Sequence, residues 1–138
     1  MRLLGLDLGT KTLGVSISDN LGIIASKYDL IKFSEENYDE ALNKLKPILK
    51  EFNINTVVLG FPKNMDNSLG FASQRSLNFK DKLESIGINV VLQDERLSSV
   101  EANNILITAN TSRKKRKESV DALAATIILQ SYLDRKER

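Results

Sequence analysis

The sequence predicts an α/β protein whose mixed five-stranded sheet, a three-strand antiparallel meander plus two parallel strands, is flanked by helices. Three observations predict it. The first thirty-three residues hold three apolar segments separated by the short turn signals "GTKT" and "DNLG", which leave room for hairpins but not for crossover helices. Beyond residue 33 the apolar period lengthens from two to about 3.6, the signature of amphipathic helix. Two short apolar runs, "TVVLGFP" and "INVVLQ", then alternate with helical patterns, which implies parallel pairing through right-handed crossovers.

Taken in order, the meander strands are expected at Leu3–Leu8, Gly14–Ser18 and Ile23–Phe33. Tyr38, Ala41, Leu42, Leu45, Ile48, Leu49 and Phe52 then fall at helical spacing. Ser34 is the expected cap, with Glu35 and Glu36 in the first turn, and Pro47 should kink or restart the helix because it has no N–H to donate. "TVVLGFP" reads as a buried strand stopping at Gly60 and Pro62, followed by the polar loop "KNMDNS". Leu69, Ala72, Ser76, Phe79, Leu83 and Ile86 line one side of a second helix that Gly87 ends. "INVVLQ" is the last strand, ending at "DER". "LSSVEANNILI" reads as a short helix, "TANTSRKKRKES" as an exposed loop and "VDALAATIILQSYL" as a final helix.

At 138 residues, with no internal repeat or low-complexity linker, the chain is expected to be a single domain spanning 1–138. It contains no cysteine and no histidine, which excludes disulfides, thiolate metal sites, His general bases and Ser/His or Cys/His triads. Acid–base and metal chemistry falls to carboxylates. No window has the apolar length of a membrane span and the N-terminus lacks the order of a signal peptide, so a cytoplasmic protein without a membrane partner is expected. The net charge of +2 conceals one concentration: Arg113, Lys114, Lys115, Arg116 and Lys117 stand side by side.

Asp7 lies in the apolar run "LLGLDLG", where a buried strand would not hold an acid without a reason. Alternation puts Gly5, Asp7 and Gly9 on one face, and the two glycines leave space for a metal ion or phosphate to approach the carboxylate. The alternative is an ion pair with a lysine such as Lys11, or a cap on the following turn. Asp94 and Glu95 stand at the carboxyl end of the last strand, where open α/β sheets bind ligands. Neighbours in an extended chain face opposite ways, so one of the two is expected to share a site with Asp7; the alternative is an ion pair with Arg96. Asp121, Ala124, Ala125, Ile128 and Tyr132 follow at i, i+3, i+4, i+7 and i+11, which puts the acid on the apolar stripe of the final helix. A favourable helix dipole explains its place along the helix, not its face. Three inward carboxylates without histidine suit hard divalent cations such as Mg²⁺ or Mn²⁺, whose charge relieves their mutual repulsion.

Four segments, "DLGTKTLGVSISD", "VVLGFPKNMD", "DERLSSVEA" and "VDALAATIILQSYL", closely resemble the YqgF/RuvX family in the family's own order and over essentially the whole chain. The resemblance implies a ribonuclease H-like fold related to Holliday junction resolvases. It implies a nuclease that hydrolyses phosphodiester bonds, acting in maturation of the 5′ end of precursor 16S ribosomal RNA. Asp7, Glu95 and Asp121 are by this resemblance the metal-binding and catalytic acids, with two Mg²⁺ or Mn²⁺ ions, and Asp94 is a further candidate. Thr10 and Lys11 would contact the scissile phosphate and Arg96 a neighbouring one. From its position before Asp121, the run Arg113 to Lys117 could lead a nucleic-acid backbone to the metals, the alternative being a merely solvated basic loop; Lys63, Asn64 and Asp66 are candidates for a second wall, the alternative being an ordinary turn loop after the strand. Asn67 replaces a glycine common in the family, and the basic run exceeds the family's usual loop; neither change touches the acids.

Three other readings stand beside this one. "DLGT" also resembles the phosphate-binding turn of actin-like and sugar-kinase ATPases, which need two such domains. A non-catalytic RNA-binding ribosome-assembly factor is the second, and a resolvase acting on branched DNA the third. A resolvase would be expected to dimerise, so the expected state is a monomer or weak homodimer bound to RNA or to a ribosomal particle.

Overall fold

The computed structural model describes residues 2–61, 71–94 and 113–136. Its strands are β1 (Leu4–Leu8), β2 (Thr12–Ser18), β3 (Ala25–Lys32), β4 (Thr56–Phe61) and β5 (Asn89–Asp94), and its helices α1 (Tyr38–Glu51), α2 (Phe71–Ser85) and α3 (Arg113–Lys136). The five strands form one sheet in the order β3-β2-β1-β4-β5. β1, β2 and β3 pair antiparallel, whereas β1 with β4 and β4 with β5 pair parallel, as the change of period predicts.

The alternation of β1 divides the core into two layers. Leu4, Leu6 and Leu8 pack with Leu13 and Val15 of β2, with Leu42, Leu45 and Leu49 of α1, and with Phe79 and Leu83 of α2. Leu3 and Val58 instead meet Ile128, Leu129 and Leu133 of α3. Helices α1 and α2 therefore cover one face and α3 the other, so that β1, at the centre of the sheet, is buried from both sides. Among the described residues no helix is long and apolar enough to cross a membrane.

Four local expectations are corrected. The N-cap of α1 is Asn37, not Ser34: its Oδ1 accepts the Glu40 N–H at 3.2 Å, and the Glu40 carboxylate in turn accepts the Ser34 N–H at 3.0 Å. Glu36 has φ 60°, a left-handed turn that keeps the helix from starting earlier. α1 also runs unbroken through Pro47. Pro47 and Asn43, whose carbonyl loses its intrahelical donor, are both exposed, so water can replace the missing bond. Ile86 is 41% exposed because it lies past the end of α2, in the turn that Gly87 closes with φ 87°. Finally, α3 begins at Arg113, so the basic run is helical rather than a loop before the helix. Arg and Lys are good helix formers, and five of them in a row resemble a loop only in composition. The expected helix at "LSSVEANNILI" and the loop "KNMDNS" lie outside the described residues.

Candidate active site

Asp7 sits one residue before the carboxyl end of β1, half-buried and opposite Gly14 of β2. It shares its face with Leu3 and Gly5, the face covered by α3. The glycine beside it serves a purpose other than the expected one. A Cβ on Gly5 would lie 2.6 Å from Leu129 Cβ and 2.7 Å from the Ala125 carbonyl oxygen, and closer still to Ser16 Oγ. The empty volume at Gly5 is thus taken up by α3, not left for a ligand. At Gly9 a Cβ would have only ordinary contacts, 3.4 Å from Thr12, within its own turn.

That close approach fixes where Asp121 lies. Ala125 is level with Gly5 and Ser16, while Gln130, farther along α3, bonds Ala25 and Ile23 at the far end of the β2–β3 hairpin. Helix α3 therefore runs back over β1, its earlier turns pointing toward the Asp7 end. Position 121 is one turn before Ala125, about 6 Å along the helix axis. Asp7 is two residues beyond Gly5, roughly 6.6 Å along the strand. Both steps lead to the same end of the sheet. Of the stripe read from the sequence, Ala124, Ala125 and Ile128 are buried and Tyr132 is partly buried.

The turn after β1 is held rigidly. Gly9 N–H donates to the Thr12 carbonyl at 2.8 Å, Phe33 N–H to that of Lys11 at 2.9 Å, and Glu36 N–H to that of Thr10 at 2.8 Å. Thr10 is half-buried and the Lys11 side chain exposed. The structure thus places Thr10 and Lys11 at the same end of β1 as Asp7. Asp94 closes β5 in register with Phe61. Arg113, Lys114, Lys115, Arg116 and Lys117 form the first turn and more of α3, one to two turns before Asp121. Glu95, Arg96, Lys63, Asn64 and Asp66 lie outside the described residues. Among the described residues no three acids form a cluster suited to a metal ion.

Two polar residues that sequence reasoning passed over organise this region. Ser16, fully buried, donates its hydroxyl to the Ala125 carbonyl at 2.7 Å. Gln130 accepts the Ala25 N–H at 2.8 Å and donates to the Ile23 carbonyl at 2.9 Å, clamping the hairpin to α3. The signal for Ser16 was present in "VSISD", where serines at alternate strand positions fall on one face; its meaning depends on Gly5 lying opposite.

A five-stranded mixed sheet with the meander order and a long helix returning over its central strand define a ribonuclease H-like fold. Solved structures agree on the fold. RuvC of Thermus thermophilus in complex with a Holliday junction substrate matches with a TM-score of 0.57 at 17% identity, covering 99% of this chain and 96% of that one. The Fowlpox virus resolvase in complex with Holliday junction DNA matches with a TM-score of 0.57 at 16% identity, over 100% of both chains.

The chain belongs to the RuvX family, described as Holliday junction resolvase, whose model matches residues 1–135. A protein of Geobacillus sp. (strain WCH70) named "Putative pre-16S rRNA nuclease" is 50% identical over 138 residues, 99% of this chain and 100% of that protein. One of the same name from Staphylococcus aureus (strain JH9) is 45% identical over 135 residues, 96% of this chain and 95% of that one.

Proposed function

We propose that this chain is a metal-dependent endonuclease that hydrolyses phosphodiester bonds, and that its substrate is the 5′ end of precursor 16S ribosomal RNA, free or in a ribosomal particle. The observation that carries the reading is the half-buried Asp7 at the carboxyl end of the central strand, on the face over which α3 brings position 121. The relatives' names supply the substrate class. A cytoplasmic single domain acting as a monomer or weak homodimer fits the same reading.

The donor chemistry suits Mg²⁺ or Mn²⁺, since a chain without histidine or cysteine offers these ions carboxylate and carbonyl oxygens. Asp7, Glu95 and Asp121 would hold them. When bound, a pair of such ions activates the attacking water and stabilises the leaving oxygen. The family resemblance favours Glu95 over Asp94 as the third acid. Leu92 of β5 packs against the α1–α2 core, whereas Gln93 meets Arg135 of α3, so the end of β5 alternates between the two faces of the sheet.

The protein's own groups then position the strand. Lys11 lies exposed at the same end of β1 as Asp7, on a turn with three backbone anchors, suited to a phosphate near the acid. Thr10 lies beside it, and Arg96 would hold a neighbouring phosphate. The helical run from Arg113 to Lys117 precedes Asp121 on the same element and would neutralise the backbone without reading bases. Lys63 and Asn64 would contribute from the loop after β4.

The test is cleavage of a labelled RNA spanning the 5′ end of precursor 16S ribosomal RNA, with Mn²⁺, Mg²⁺ or EDTA, by wild type and Asp7→Asn. Metal-dependent cutting by wild type alone is expected. Retained RNA binding with no cutting would favour an assembly factor, and preferential cutting of a synthetic four-way DNA junction would favour a resolvase.

A further inference from the structure

We infer that the contact between Gly5, Ser16 and Ala125 sets the spacing between Asp7 and the α3 segment carrying Asp121, and that Ser16 is a positioning residue for those acids. The inference rests on the metal-dependent nuclease reading above and adds to it a residue outside the acid set.

The geometry is specific. Ser16 stands directly across from Gly5 in the β1–β2 register, and its side chain is fully buried. A hydroxyl has one proton to donate. Ser16 Oγ lies 2.7 Å from the Ala125 carbonyl oxygen and 3.4 Å from that of Gly5, so the bond goes to α3. Gly5 contributes the absence of a side chain, since a Cβ there would overlap Leu129 and the Ala125 carbonyl. Small residues alone set how high the helix rides over the sheet but let it slide. A buried, satisfied hydrogen bond adds direction and selects one register.

This contact lies two residues before Asp7 on the strand and one helical turn after Asp121. A shift here therefore passes to the acids with little chain between to absorb it. Catalytic constellations tolerate displacements of only about 0.5 Å. A buried hydroxyl needs a partner, whereas an alanine at 16 would meet the packing requirement alone; the hydroxyl's contribution is the fixed position of α3.

The experiment compares wild type with Ser16→Ala, Ser16→Cys and Gly5→Ala. Mn²⁺ binding to the free protein is read by calorimetry or electron paramagnetic resonance, RNA binding in EDTA by fluorescence anisotropy, and cleavage as a function of Mn²⁺ concentration. Ser16→Ala is expected to stay folded and bind RNA normally, while its Mn²⁺ affinity falls by about tenfold, as for removal of a group that orients ligands. Excess Mn²⁺ should recover much of its cleavage, and Ser16→Cys should lie between. A folded Ser16→Ala with wild-type Mn²⁺ affinity and metal dependence overturns the inference.

Crystal structures of Ser16→Ala and Gly5→Ala measure the spacing without any metal. A change of more than about 0.5 Å in the Cα separation of residues 7 and 121 supports the inference, and an unchanged separation in both overturns it. Failure of wild type to bind Mn²⁺ would instead overturn the metal-dependent reading, and the crystallographic spacing would then decide the positioning role by itself.

Discussion

The backbone N–H of Glu36 donates to the carbonyl of Thr10 across 2.8 Å, and Glu36 makes that bond from a left-handed conformation with φ 60°. A non-glycine residue is thus held in a costly conformation where it supports the turn next to Asp7. Left-handed backbone costs an L-residue roughly 1–2 kcal/mol, more for β-branched side chains. Glu36→Val should therefore lower the unfolding free energy by about 1–2 kcal/mol, and Glu36→Gly should stay within about 1 kcal/mol of wild type. Urea denaturation of the three proteins checks both outcomes.

Asp7→Asn keeps the shape of the side chain and removes its charge. Cleavage should fall by at least about a hundredfold, the scale on which preorganised electrostatic groups act. Circular dichroism and RNA binding in EDTA should not change. Wild-type cleavage by this variant would remove Asp7 from the catalytic set.

Phe79 is fully buried between α2 and the sheet, and Phe79→Ala should destabilise the protein by about 3–5 kcal/mol. Ile86→Ser, at a position 41% exposed beyond the helix end, should change stability by less than about 0.5 kcal/mol. If the two substitutions cost the same, the assignment of these positions to core and surface is wrong.

Asp19 accepts the N–H groups of Ile23 at 2.8 Å and Ile24 at 3.2 Å, bonds that hold its carboxyl below the usual carboxylate range. Glu40 is lowered likewise, first by the Ser34 N–H and then by Lys44. For both, the unfolded chain takes up protons at higher pH than the folded one. Their stabilisation is therefore complete above the ordinary carboxylate range and is lost as pH falls through that range and below it. Denaturation midpoints between pH 6 and about pH 3 should fall less steeply in Asp19→Asn than in wild type.

The periodic elements were legible because each rests on a local pattern. Leu4, Leu6 and Leu8 alternate, Tyr38 to Phe52 follow the helical period, and "DNLG" breaks the chain; all three readings hold in the structure. What was misread depends on contacts distant in sequence. Gly5 looked like room for a ligand because nothing near it in the chain shows that Ala125 and Leu129 take that room. Pro47 reads as a kink or a restart; the helix does not restart there, and the exposure that lets water serve the orphaned carbonyl of Asn43 is a property of packing. The run from Arg113 to Lys117 looked like a loop because its charge hid its helix propensity. Of the expected acids, the structure locates Asp7 in full and position 121 along its helix, while Glu95 lies outside the described residues and rests on resemblance.

The bond between Ser16 and Ala125 joins residues 109 positions apart in the chain. Contacts of such sequence separation carry a large loop-closure cost, which must be met before they return any energy. Positions 7 and 121 thus come from opposite ends of the sequence and reach the same end of the sheet only when α3 packs over β1. On the proposed assignment, catalytic competence becomes a test of complete folding: a chain that has built the meander but not docked α3 would hold Asp7 without the helix that carries Asp121.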